Sequence, residues 1–341
     1  MTYFHQGNTH YEPVWIDQTP GARSSTLPGP WPIEDENAPD GTAPAPIPPT
    51  DPDTPVVTTH PVFNVATADD PVIRDDIREN FRAALNRWNA LIGYTTEQRN
   101  ILRASWTGND GVVWNGSTLW PQPVTINFGG VDINMTKVHY FAGGTPTPGG
   151  AGVTVAFAGR VLPRQGQNTN QLSQGYILGV NTDMIDQLSD EDWQDTFAHE
   201  LAHALGFQAS CWTTNVNTVE RSLDGGAYPT GRDNYRTLTS STASNILLDG
   251  NNSHWEDQTR DGIRGFTNEL LIAETDDNTP SPLVISSLTL GVAADQGYQV
   301  IGAPEGTPTL TALGGALYVE APPHTNDAVT IYYDDYYQQE M

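Results

Sequence analysis

The stretch from Ser189 to Gly206 constrains this chain more than any other, because it carries both ends of one helix and a chemical pattern between them. Ser189 precedes Asp190, Glu191 and Asp192: a hydroxyl able to cap the first turn, then three acids at the positive end of the helix dipole. Gly206 stands where a chain leaving a helix needs positive φ. Phe197, Leu201 and Leu205 form an apolar stripe, and His199, Glu200 and His203 lie beside it. Side chains four residues apart share one helix face, so both imidazoles can aim at one point. The pattern predicts a core helix over 189–205 with a polar site on it.

Two imidazoles four apart with a glutamate after the first form the H-E-x-x-H pattern of zinc hydrolysis. Zinc held by three protein groups keeps a place for a water, whose proton Glu200 is positioned to take. The five residues also arise by chance on surface helices, but a chance pair has no reason to sit beside an apolar stripe. Metzincins lengthen the motif by a glycine and a third histidine, H-E-x-x-H-x-x-G-x-x-H. Gly206 satisfies the glycine, whereas the final position is Ala209. A third ligand must come from elsewhere: His5, His10, His60, His139, His254 or His324, or a carboxylate such as Glu220 or Glu256.

His254 follows a long polar stretch and opens the string His254, Trp255, Glu256, Asp257; later come Asn268, Glu269, Leu270 and Leu271, then Ser287, Leu288, Thr289 and Leu290 running on to Gly297. With the helix motif continuing through Ala204, Leu205, Gly206 and Phe207, this combination resembles the leishmanolysin family of zinc peptidases. The likeness spans roughly 81–297 and is specific only around 199–207 and 254–297. It implies His199, His203 and His254 as zinc ligands and Glu200 as the catalytic acid and base. It also implies that Leu271 stands where the family places the methionine of a tight turn beneath the metal. That methionine packs rather than binds, so a leucine there preserves metal binding more surely than turnover.

Elsewhere, Ile73, Ile77, Phe81, Leu85, Trp88 and Leu91 recur at helical spacing between Pro71 and Gly93, predicting a helix over 71–91. Short β-branched and aromatic runs at 124–128, 138–141, 153–157 and 176–180 predict strands of one sheet. The segment 174–180 is either an edge strand that pairs with extended substrate or an internal strand. The Thr-, Ser-, Asn- and Gly-rich stretch 213–253 reads as a long polar insertion, a short helix opens after Ser286 and Ser287, and the tail 301–341 reads as β-rich. The first 60 residues are proline-rich and aperiodic, an extended arm with Tyr11, Trp15 and Trp31 as anchors against its own domain or a neighbouring subunit.

The net charge of −26 repels phosphate backbones and anionic headgroups, which argues against nucleic acid as a partner, and otherwise serves solubility. Cys211 is the single cysteine, so no intrachain disulfide forms, and a small buried residue is its simplest role. No leader peptide or membrane span is legible. Asp-rich pairs such as Asp69 and Asp70 lack the spacing of a calcium loop and read as solvated surface. The expectation is an α+β, metzincin-like zincin fold: an arm at 1–60, a metallopeptidase domain at 61–300 and a tail at 301–341. Zn2+ would be the cofactor and a protein or peptide the substrate. The competing class is a structural component of a larger assembly, such as a phage virion or tail, that keeps the fold and the zinc site. Either reading implies an extracellular or virion-associated setting.

Overall fold

The structure, a computed structural model, describes residues 58–106, 133–142, 155–160, 172–208, 222–249, 253–258, 260, 262–272 and 282–311, together with the backbone of short strands elsewhere. Within these residues the chain is a mixed α+β protein with five α-helices and several small sheets. No described helix is long and apolar enough to cross a membrane. Most of the arm, with Trp15, Trp31, His5 and His10, lies outside the described residues, as do Ala209, Cys211, Glu220 and His324.

Helix α1 spans Asp75–Leu91, later than the Pro71 start that its apolar spacing suggests. Asp70 is the reason: its carboxylate accepts from the Val72 amide and its carbonyl from that of Ile73, holding this segment in a turn before the helix begins. Helix α2, Thr96–Ser105, was not anticipated, although Thr95 and Gln98 form a reciprocal capping box at its start. Helix α3 covers Asp190–Leu205 as expected, with Ser189 and Asp192 forming the box. Helix α4, Pro229–Thr239, falls within the long polar insertion, where no element was legible in the sequence. Its sequence is polar, but Pro229 pre-sets the first turn and Tyr235 is buried. Helix α5, Ser287–Asp295, opens where the serines predicted, with the Ser286 hydroxyl accepting from the Leu288 amide. Helices α4 and α5 approach closely because both are glycine at the crossing: a Cβ on Gly291 would lie 3.0 Å from the Gly231 Cα.

The predicted strands do not form one sheet. Val112–Trp114 and Val124–Ile126 pair by themselves, and the run at 153–157 divides: Gly152–Val153 joins one sheet and Ala156–Val161 another. In the principal sheet Gly175–Asn181 is flanked by Met135–Phe141, parallel to it, and by Ala156–Val161, antiparallel to it. Of the two readings of 174–180 the structure has the second: that strand is internal and buried throughout, as its unbroken apolarity favours. Gly179 makes room for the Phe157 ring from the neighbouring strand. Beyond Ala156–Val161 the sheet is extended by Asp335–Tyr336, paired at Ala158, and then by Tyr11–Glu12.

Helix α3 packs between this sheet and α1. The Trp88 indole donates to the Ala198 carbonyl at 2.8 Å, and the Phe81 and Phe197 rings meet edge to face. Half-buried Arg87 reaches Asp195 of α3 and Glu305, while Asp195 also accepts from the Leu283 amide. One guanidinium thus ties α1 and α3 to residues more than a hundred positions downstream, and residues 301–311 fold back onto the same core. The carbonyls ending α3 are satisfied from distant segments: Ser173 Oγ donates to Ala204, Tyr298 Oη to Leu205 and Gln296 Nε2 to Gly206. The C-terminal half of α3, where the histidines lie, is consequently fixed on every side.

Candidate metal centre

His199, Glu200 and His203 occupy the last two turns of α3, and none has any solvent exposure. His254 arrives on the loop after Ile246–Leu247 and is equally buried. One nitrogen from each of the three histidines lies within 4.8 Å of the other two, a group that could hold a metal ion and the one such group among the described residues. His60 instead contacts the Thr96 hydroxyl and His139 lies on the Met135–Phe141 strand. Glu256, the carboxylate rival, is engaged by Arg260 at 2.9 Å.

Each imidazole is oriented through its Nδ1. His199 Nδ1 meets the Leu270 carbonyl at 2.7 Å, His203 Nδ1 meets the Phe207 carbonyl at 2.7 Å, and His254 Nδ1 meets Asp249 Oδ2 at 3.2 Å. A carbonyl only accepts, so the first two rings carry their proton on Nδ1, and a neutral imidazole then presents a lone pair at Nε2. The two Nε2 atoms face each other at 2.8 Å. Lone pairs opposed at that distance repel unless a cation lies against them. A proton is disfavoured there, since burial first, and then His203 and His254, hold the His199 pKa well below its ordinary value. Three imidazoles anchored at Nδ1, with nitrogens converging on one point, are a donor set that could hold a metal ion.

The local sequence explains each anchor. Gly206 adopts φ 107°, which turns the chain so that the Phe207 amide closes on the Ala202 carbonyl and the Phe207 carbonyl comes under His203. Asp249, which the sequence reading passed over, accepts from the Ser253 and His254 amides through Oδ1 while Oδ2 meets the His254 ring. Burial would raise its pKa, but its contacts with His254 prevail and keep it a carboxylate. Its only sequence signal is an acid five residues before a candidate ligand, meaningless until the loop closes. The turn at Glu269, Leu270 and Leu271 lies beside the site. Leu270 supplies the carbonyl for His199, Leu271 is fully buried, and its carbonyl accepts from the Trp255 amide.

Neither the family models nor the curated proteins compared with this chain gave a match.

Proposed function

We propose that this chain is a zinc-dependent endopeptidase with a zincin-like arrangement, in which His199, His203 and His254 hold the metal and Glu200 is the general base and acid. One observation carries the reading: two helix histidines four apart and a third from a distant loop converge, each ring set by an acceptor at Nδ1, with a glutamate beside the first. A site needed only for stability would not require the glutamate in the same buried place.

Bound zinc would supply Lewis-acid polarisation and a water of lowered pKa. Glu200 would take the proton of the attacking water and pass it to the leaving amine. Asp249, Leu270 and Phe207 would keep the imidazoles from rotating away as charge develops. The Ala156–Val161 strand lies against α3, and its outer edge, paired at Ala158 with Asp335, is where an extended peptide would add by backbone pairing in place of that segment. The resemblance to leishmanolysins supports the same assignment, with Leu271 in the position of the turn methionine.

The test is elemental analysis of purified wild-type, Glu200→Ala and His254→Ala proteins, paired with cleavage of casein or gelatin. About one zinc per wild-type chain is expected, retained in Glu200→Ala and weakened in His254→Ala, with cleavage by wild type alone. Zinc without cleavage would remove the peptidase assignment and favour a structural subunit that keeps the centre. No zinc would remove both.

A further inference from the structure

Glu269 is a fully buried carboxyl that the proposed reaction does not use. Burying a carboxylate is expensive unless donors surround it, and here four converge. Oε2 accepts from the Leu271 amide at 2.6 Å. Oε1 accepts from the Ser286 amide at 3.3 Å, from the Ser286 hydroxyl at 3.1 Å and from the Thr289 hydroxyl. The two oxygens therefore face different elements, one the turn at 269–271 and the other the first turn of α5.

Each side leads to a different imidazole. The amide that Oε2 holds belongs to the turn whose Leu270 carbonyl meets His199 Nδ1. On the other side Thr289 Oγ1 also meets the Trp255 indole Nε1 at 2.9 Å. An indole N–H only donates, so Thr289 accepts from Trp255 and must give its own proton to Glu269. Trp255 adjoins His254 in the chain, and its backbone amide donates to the Leu271 carbonyl of the same turn.

We propose that Glu269 is a positioning residue for the metal centre, a single carboxylate that sets His199 through the Leu270 turn and His254 through Thr289 and Trp255. This rests on the reading of the three histidines as a metal site. Metal affinity should depend on Glu269 although the residue is not a ligand. Gln is close in size, but its amide nitrogen cannot accept, so Glu269→Gln keeps one side of the arrangement and sets a donor against a donor on the other. Thr289→Val keeps the shape of the α5 turn and removes only the hydroxyl between Glu269 and Trp255.

The experiment measures Zn2+ affinity by competition with a chromophoric chelator in wild type, Glu269→Gln and Thr289→Val. The visible spectrum of the Co2+-loaded proteins and the unfolding midpoint of the metal-free proteins accompany it. About tenfold or greater loss of Zn2+ affinity in both variants, with an altered Co2+ spectrum, is the expected result. Lower metal-free midpoints with unchanged Zn2+ affinity and Co2+ spectrum would make Glu269 a purely structural cap and overturn the proposal. If Glu269→Gln does not fold, Thr289→Val decides the question alone on the same two readouts. A wild type that binds no Zn2+ defeats the metal reading itself, and this proposal with it.

Discussion

At the scale of single residues, each ring of the centre is set by an acceptor that would not be recognised as part of it from sequence. Asp249 does most, since one carboxylate holds two backbone amides and the His254 ring. Replacing it by Ala should cost about 10- to 100-fold in Zn2+ affinity, the usual effect of removing a partner behind a ligand. Chelator competition measures this, and an unchanged affinity would mean that His254 is held by the loop alone. Glu269 adds a pH dependence. Burial, against its hydrogen bonds, raises its pKa from 4.5 to about 7. Between those values the folded state holds a proton that the unfolded state has released, so this group's contribution to stability is full below 4.5 and lost as the pH rises through 7. The loss approaches about 3 kcal/mol at one pKa unit per 1.36 kcal/mol. Denaturant unfolding of the metal-free proteins should therefore show wild type losing stability relative to Glu269→Gln from pH 4.5 to pH 7. A difference that stays flat with pH would show that Glu269 does not titrate in this window.

At the scale of elements, α3 is where local chemistry and site geometry coincide, and Gly206 is the hinge between them. Its φ of 107° is open to glycine and strained for any residue with a Cβ. Gly206→Ala should lower stability by about 1–2 kcal/mol, read as a shift in the denaturant midpoint. It should also weaken Zn2+ binding by displacing the Phe207 carbonyl from His203. A stability loss with Zn2+ affinity intact would mean that the cap and the ligand are independent. This element was legible because Ser189, Gly206 and the paired histidines are all local signals. Helix α2 was equally signalled by Thr95 and Gln98, yet it is short and follows directly on a strand, so its period was easily missed. Helix α4 is harder to read: apart from Pro229 at its first turn its apolar content is low, and its close packing on α5 through Gly231 and Gly291 is a tertiary fact. The same holds for the sheet, whose strands were mostly recognisable while their order, and the internal place of 175–181, depend on pairings between distant segments.

At the scale of the whole molecule, the question is how a peptide would reach a centre whose histidines and Glu200 have no solvent exposure. The Ala156–Val161 strand offers the backbone edge nearest α3, but at Ala158 that edge is already paired with Asp335 of the same chain, and Asp335–Tyr336 also touches α3. A peptide substrate and the chain's own C-terminal segment would thus compete for one strand edge. If the segment covers the edge nine-tenths of the time, the competent fraction is about a tenth, and the apparent substrate affinity falls in proportion. Ending the chain after Thr330 should then raise kcat/KM on casein about tenfold while leaving the Zn2+ content at the wild-type level. The gain should come through KM, because Glu200 and the three histidines are untouched, and Glu200→Ala should remain inactive in the shortened chain. A shortened protein with unchanged kinetics would show that the C-terminal segment does not compete with substrate. A loss of Zn2+ on shortening would make that segment part of what closes the centre.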